Sequence, residues 1–211
     1  MSPGLYLLTA PLGDTAAFAS KLAAVLDVGN IAALLLRLED ADERTLVNRA
    51  KTVAAMAQPR GVALLLDGRP ELAARAGADG AHFDGIEALT AAISELKPER
   101  IAGAGGLRSR HDAMLAAEGG ADYVMFGEPD RNGHRSPFAA VIERVGWWAE
   151  VFEVPCVSYA GDLGEVSALA QAGSDFVALG DWIWTKEDTP SALVGTAAKY
   201  LGAAASPAVS T

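Results

Sequence analysis

Short apolar runs along the chain alternate with longer Ala-rich segments whose apolar residues recur at helical spacing. Near-continuous apolar runs predict parallel strands buried on both faces, and the segments between them predict the helices that cover the sheet. The runs fall at Gly4–Thr9, Ile31–Leu38, Gly61–Leu66, Gly80–Phe83, Ile101–Gly105, Tyr123–Gly127, Val154–Ser158 and Phe176–Gly180. Helical stretches are expected near Asp14–Leu26, Asp42–Ala57, Glu71–Arg75, Ile86–Leu96, Arg108–Glu118, Pro137–Glu150, Leu163–Gln171 and Pro190–Leu201. This α/β alternation predicts a single (β/α)₈ TIM barrel with its functional face at the C-terminal strand ends. Residues 1–203 are assigned to the barrel and 204–211, small and polar with Pro207, to a flexible C-terminal tail. An open doubly wound sheet is the competing architecture, but no Gly-x-Gly-x-x-Gly fingerprint follows the first strand.

A recurring junction supports the alternation. Ala76-Gly-Ala-Asp-Gly80, Gly119-Gly-Ala-Asp-Tyr123 and Ala172-Gly-Ser-Asp-Phe176 each end a helix and begin a strand. Glycine suits the left-handed position after a helix, and aspartate satisfies turn amides before the strand. The three aspartates are therefore read as structural, on the face away from chemistry.

Composition narrows the function classes. With 51% hydrophobic residues in 211, the chain has ample apolar surface for a large core. The formal net charge of −10, with no stripe of Lys and Arg, argues against nucleic acid as a partner. Neither a basic leader nor an uncharged apolar run of about 18 residues occurs, so no export signal and no membrane span is expected. The single cysteine, Cys156, lies in the apolar run Val154-Pro-Cys-Val-Ser158 and is read as a buried, reduced thiol. Cytoplasm is the expected compartment.

Several frame positions resemble the thiamine phosphate synthase family and its thiazole tautomerase relatives over almost the whole chain. They are Arg37 closing the second strand, Asp67-Gly-Arg-Pro-Glu-Leu-Ala73 after the third and Gly77-Ala-Asp-Gly-Ala-His-Phe83 at the fourth. Gly120-Ala-Asp-Tyr-Val-Met-Phe-Gly127, Val154-Pro-Cys-Val157 and Ala172-Gly-Ser-Asp-Phe-Val-Ala178 continue the match at the sixth, seventh and eighth strands. The resemblance implies a transferase barrel that joins a pyrimidine methyl pyrophosphate to a thiazole phosphate, with Mg²⁺ and basic residues neutralising the departing pyrophosphate.

The chain departs from the family where that charge is needed. The family's Gln-x-Arg-x-Lys reads Leu35-Leu-Arg-Leu-Glu39 here, and Asn-Asp-Arg reads Asp67-Gly68-Arg69. By the resemblance, Arg37 and Arg69 would hold anionic oxygens as catalytic residues, and Asp67 and Glu87 would ligate Mg²⁺. The competing reading makes Asp67 a helix cap and Glu87 a first-turn residue favoured by the helix dipole. The family's Pro-Thr-x-Thr-Lys loop becomes Gly127-Glu-Pro-Asp-Arg-Asn-Gly-His-Arg-Ser136, which reads as a lid or as a solvated turn, with Arg131 placed for substrate. The phosphate-binding backbone steps read Ala160-Gly-Asp162 and Gly180-Asp-Trp182, so Gly161 and Gly180 keep close approach while Asp162 and Asp181 bring carboxylates.

Among the remaining candidates, His82 ends a strand and is assigned either a structural hydrogen bond or substrate contact. Glu128 stands where the tautomerases place a proton-moving histidine, and a buried carboxylate can act as acid or base. Trp182 and Trp184 follow the eighth strand, where an indole can stack on a planar ligand. Trp147 and Trp148 lie on a helix and suit packing or a homodimer contact.

The leading expectation is a divergent family member that binds a small heteroaromatic ligand, phosphorylated or not, at the mouth, with synthase activity weak or lost. The alternatives are a non-catalytic regulatory or partner-binding barrel, and a different enzyme or tautomerase using a mouth carboxylate as acid or base.

Overall fold

The computed structural model describes residues 3–185 and 189–204. Its strands are β1 (Gly4–Leu8), β2 (Ile31–Leu36), β3 (Ala63–Asp67), β4 (Gly80–Asp84), β5 (Ile101–Gly105), β6 (Tyr123–Phe126), β7 (Cys156–Ala160) and β8 (Phe176–Leu179). They close in sequence order into a barrel, with every pair parallel and β8 returning to β1 through Leu5 opposite Val177 and Leu7 opposite Leu179. The helices are α1 (Thr15–Leu26), α2 (Glu43–Ala57), α3 (Pro70–Ala76), α4 (Ile86–Ala92), α5 (Arg110–Glu118), α6 (Phe138–Val151), α7 (Val166–Gln171), α8 (Trp182–Thr185) and α9 (Pro190–Ala204). The chain is thus a single closed (β/α)₈ barrel. Among the described residues, no helix is long and apolar enough to cross a membrane.

Alternation along each strand sorts the side chains into two cores. Leu5, Leu7, Leu34, Leu36, Leu64 and Leu66 face outward and pack under the helices. Tyr6, Leu8, Leu35, Leu65, Tyr123, Met125, Val157 and Tyr159 point inward and fill the barrel. Successive side chains of a strand leave by opposite faces, which is why both sets come from the same apolar runs. Inward glycine makes room for the larger rings. A methyl group at Gly103 on β5 would collide with the Tyr123 ring from β6.

The three junction aspartates act as structure. Asp79 Oδ2 accepts the Leu64 amide at 2.7 Å, Asp122 Oδ2 the Ala102 amide at 2.7 Å and Asp175 Oδ2 the Cys156 amide at 2.8 Å. Each ties the entry of one strand to its neighbour, at the end of the barrel opposite the mouth. Cys156 is buried, and its thiol is pushed up to about 12, mainly by that burial.

Element ends differ from expectation for local reasons. β3 begins at Ala63 because Gly61 takes a left-handed φ of 74° at the end of a short 3₁₀ turn. β2 stops at Leu36 because the Arg37 amide turns to the Thr9 hydroxyl at 3.0 Å, leaving Leu38 a lone bridge to Leu12. β7 begins at Cys156, two residues after the expected start. The helix α8 after β8 was not anticipated. Its Trp184 indole donates to the Leu8 carbonyl at 2.7 Å, which pins the segment to β1. Of the expected tail, Ala204 closes α9, and 205–211 lie outside the described residues.

Candidate functional site at the barrel mouth

Three inward side chains from β1, β6 and β4 form a buried polar chain. The Tyr6 and Tyr123 hydroxyls are 2.7 Å apart, and Tyr123 Oη lies 2.9 Å from His82 Nδ1. The His82 imidazole stacks on the Tyr123 ring, with centroids 5.7 Å apart. Burial holds both hydroxyls well above the ordinary phenol range. It also pushes the imidazole down to about 4, so His82 is neutral at physiological pH. The structural reading of His82 is seen in Nδ1, which serves the polar chain, while Nε2 lies beside Gly105.

Glu128, just beyond β6, reaches the same spot. A methyl group at Gly105 would lie 2.6 Å from His82 Nε2 and 2.7 Å from Glu128 Oε1. Glu128 Oε1 accepts the Gly106 amide at 2.5 Å. Its Oε2 is sealed from solvent without a hydrogen-bond partner. Burial raises the carboxyl above the ordinary range, against the pull of the Gly106 amide. A carboxyl with one oxygen fixed and one unused is equipped to donate or accept a proton.

Around this buried floor the strand ends carry ion pairs. Arg37 Nε lies 3.2 Å from Asp67 Oδ2, with each side chain about a third exposed. Arg69 Nη2 meets Asp40 at 2.5 Å and Arg131 Nε meets Asp84 at 2.9 Å. Arg135 is held by Glu165, with Nη2 2.7 Å from Oε2. The loop after β6 folds into a turn around Asp130, whose Oδ1 accepts the Asn132 and His134 amides at 2.8 and 2.9 Å. Arg131 and Arg135 leave this turn in different directions, the first exposed and the second inward.

The structure therefore separates the expected site residues. Asp67 faces Arg37 rather than a second carboxylate, and it does not cap α3, whose N-terminus has no side-chain cap. Glu87 is exposed in the first turn of α4, beside Ile86, Thr90 and Ala91. Among the described residues, no three His, Cys, Asp or Glu side chains gather in an arrangement fit for a metal ion. Asp67 and Glu87 are not brought together, and no chemistry is derived through a metal.

Gly161 does approach closely, but its amide already donates to Glu165 Oε2 at 2.7 Å. Gly180 is buried under the Tyr159 hydroxyl, which leaves no room for a side chain. Asp162 turns to cap its own 3₁₀ turn through the Gly164 amide, whereas Asp181 stays near enough to raise the Tyr159 phenol, after burial as the main cause. Trp184 packs edge-on against Phe18 at 4.7 Å, on the helix side of the strands rather than over the mouth. Trp182 stays at the rim and donates its indole N–H to Ala160 at 3.0 Å. Trp148 is core, stacked 4.0 Å from Phe152, and Trp147 is only half-buried.

Sequence reading missed Glu165 and the three inward tyrosines. Tyr6, Tyr123 and Tyr159 sit at alternate positions of their strands, a signal that was available. Glu165 follows Gly161 by four residues, and nothing in that spacing announces a return to the glycine amide.

A closed parallel barrel with a polar mouth built from strand-end loops defines a (β/α)₈ barrel protein. The family model described as thiamine monophosphate synthase matches residues 5–183. The chain belongs to that family. It is 40% identical over 193 residues to a thiamine-phosphate synthase of Rhodospirillum centenum, covering 90% of this chain and 93% of that protein. A thiamine-phosphate synthase of Hyphomonas neptunium is 37% identical over 199 residues, covering 90% of each. Among solved structures, thiamine phosphate pyrophosphorylase from Pyrococcus furiosus superposes with a TM-score of 0.76 at 21% identity, covering 97% of this chain and 98% of that one. The 3-hexulose-6-phosphate synthase of Salmonella typhimurium gives a TM-score of 0.71 at 16% identity, over 95% and 99% of the two chains, and shows the same fold.

Proposed function

We propose that this family member binds a small heteroaromatic ligand of thiamine biosynthesis at its barrel mouth, in the cytoplasm, and that its thiamine phosphate synthesis is weak or lost. One observation carries the reading. Four arginines at the strand ends and in the loop after β6 are matched by carboxylates of the chain: Arg37 by Asp67, Arg69 by Asp40, Arg131 by Asp84 and Arg135 by Glu165. Departure of pyrophosphate builds negative charge on the leaving group, and fixed positive charge is what stabilises it. A guanidinium already facing a carboxylate presents a dipole rather than a full charge, and its field falls off faster with distance.

The floor of the mouth suits a neutral ring instead. His82 is uncharged, burial raises the Glu128 carboxyl above its ordinary range, and both lie beside Gly105. Loss of a single charge-stabilising contact costs ~10²–10³ in rate. The purified protein, given both family substrates and Mg²⁺, is therefore expected to turn over at least ~10²-fold more slowly than a family member that carries the Gln-x-Arg-x-Lys and Asn-Asp-Arg motifs. Comparable turnover in that side-by-side assay overturns the reading.

A further inference from the structure

The buried chain of Tyr6, Tyr123 and His82 has one arrangement of its protons in which every hydroxyl is used. Tyr6 is 2% exposed, Tyr123 6% and His82 5%, so bulk solvent does not stand in for a missing hydrogen bond. The Tyr6 and Tyr123 hydroxyls are 2.7 Å apart, and Tyr123 Oη is 2.9 Å from His82 Nδ1. Among the described residues the Tyr6 hydroxyl bonds no other group.

A neutral imidazole carries its proton on one ring nitrogen and accepts on the other. His82 is neutral at physiological pH, because burial penalises its charged form. Two proton orders are then open. In the first, Tyr6 donates to Tyr123, Tyr123 donates to His82 Nδ1, and the imidazole proton sits on Nε2. In the second, Nδ1–H donates to Tyr123 and Tyr123 to Tyr6, and the Tyr6 proton has no acceptor. A buried donor left unmade costs its full desolvation, so the first order is the lower in free energy.

Nε2 stands at the mouth end of this chain. A methyl group at Gly105, the last residue of β5, would lie 2.6 Å from Nε2 and 2.7 Å from Glu128 Oε1. Oε1 already accepts the Gly106 amide, and among the described residues no hydrogen bond joins it to His82. The Nε2 proton is therefore not spent on Glu128, and glycine at 105 leaves it uncovered.

We propose that Tyr6 and Tyr123 are positioning residues that hold His82 as its Nε2–H tautomer, so that the mouth floor offers a hydrogen-bond donor to an acceptor atom on the edge of a planar ring. The class that fits is an uncharged heteroaromatic with an unprotonated ring nitrogen or a ring carbonyl facing His82. A ring edge that brings only N–H groups to His82 meets a second donor and is disfavoured. The inference rests on the ring-binding mouth proposed above and deepens it, but its first test needs no ligand.

That test is a long-range proton–nitrogen correlation spectrum of the parent carrying isotope-labelled histidine, at neutral pH, with the His82 signals identified by their loss in His82→Gln. Nδ1 should appear as the unprotonated nitrogen and Nε2 as the protonated one, in at least ~10-fold excess over the other tautomer. In Tyr6→Phe the order should hold, because the Tyr123 hydroxyl still has Nδ1 as its acceptor. In Tyr123→Phe the excess should shrink toward that of free histidine. The second test titrates the parent with pyridine, which has a ring acceptor, and with benzene, which has none, while following the Nε2–H signal. Pyridine should shift it saturably, and benzene should leave it in place.

A His82 proton on Nδ1 overturns the inference, whether or not either ring binds. So does a folded Tyr123→Phe that keeps the parent's tautomer ratio, or an Nε2–H signal that answers pyridine and benzene alike. If Tyr123→Phe does not fold, the parent spectrum decides. An Nε2–H imidazole that answers neither ring supports the tautomer lock and sinks instead the ring-binding mouth proposed above.

Discussion

Acid should weaken this barrel through one side chain. His82 is 5% exposed inside the barrel, and its imidazole titrates near 4 because burial penalises the charged form, with Arg37 adding to the effect while Asp67 and Asp84 oppose it. In the unfolded chain a histidine titrates near 6.5. Below that value the unfolded chain takes up a proton that the folded chain refuses, so stability falls with falling pH. The contribution is complete above about 6.5 and is lost by the time the folded value near 4 is reached. At about 1.4 kcal/mol per pH unit, that window corresponds to about 3 kcal/mol. For a domain of this size each kcal/mol moves Tm by about 2–4 °C, so the total is about 6–12 °C. The assay is a series of melts across the window on the parent and on His82→Gln, because titrating carboxylates shared by both proteins cancel in the difference. The parent should lose the larger amount. If both proteins show the same pH slope, or if the imidazole resonances of His82 titrate near 6.5 in the folded protein, the reasoning is refuted.

Glu128 carries the opposite sign. Its raised carboxyl contributes stability below the ordinary carboxylate range that is lost as pH rises through the raised value, so the parent should lose stability with rising pH relative to Glu128→Gln in the same melts. The Tyr123 hydroxyl bonds both Tyr6 and His82, whereas among the described residues the Tyr6 hydroxyl bonds Tyr123 alone. Tyr123→Phe should therefore cost about 2–4 kcal/mol by urea denaturation and Tyr6→Phe about 1 kcal/mol, with the double variant less than additive. Asp175→Ala leaves the Cys156 amide without its carboxylate and should cost about 1–3 kcal/mol, while proton exchange at that amide accelerates. Deleting the chain from Phe176 onward removes the strand that pairs with both β1 and β7, and the product should show no cooperative melt.

The sequence by itself determined the barrel. Period-two and helical patterning are local, and eight repeats of strand and helix leave few ways to bury every apolar face except closure. The junction aspartates were legible for the same reason, since turn chemistry acts over a few residues. Family membership was legible from the spacing of short frame motifs along almost the whole chain. The mouth was legible only as an inventory. Arg37, Arg69, Arg131, Asp67 and Glu128 could all be named, but whether each charge faces a ligand or a neighbour depends on which loops converge. Closure brings Arg37 to Asp67 across thirty residues, Arg131 to Asp84 across forty-seven and Arg135 to Glu165 across thirty. The same closure aims Tyr6 at Tyr123 from a separation of 117 residues. Electrostatic and hydrogen-bond partnership is set by distance in space, which local patterning does not encode. Only the tertiary structure could decide that four of the positive charges of this mouth are already answered from within.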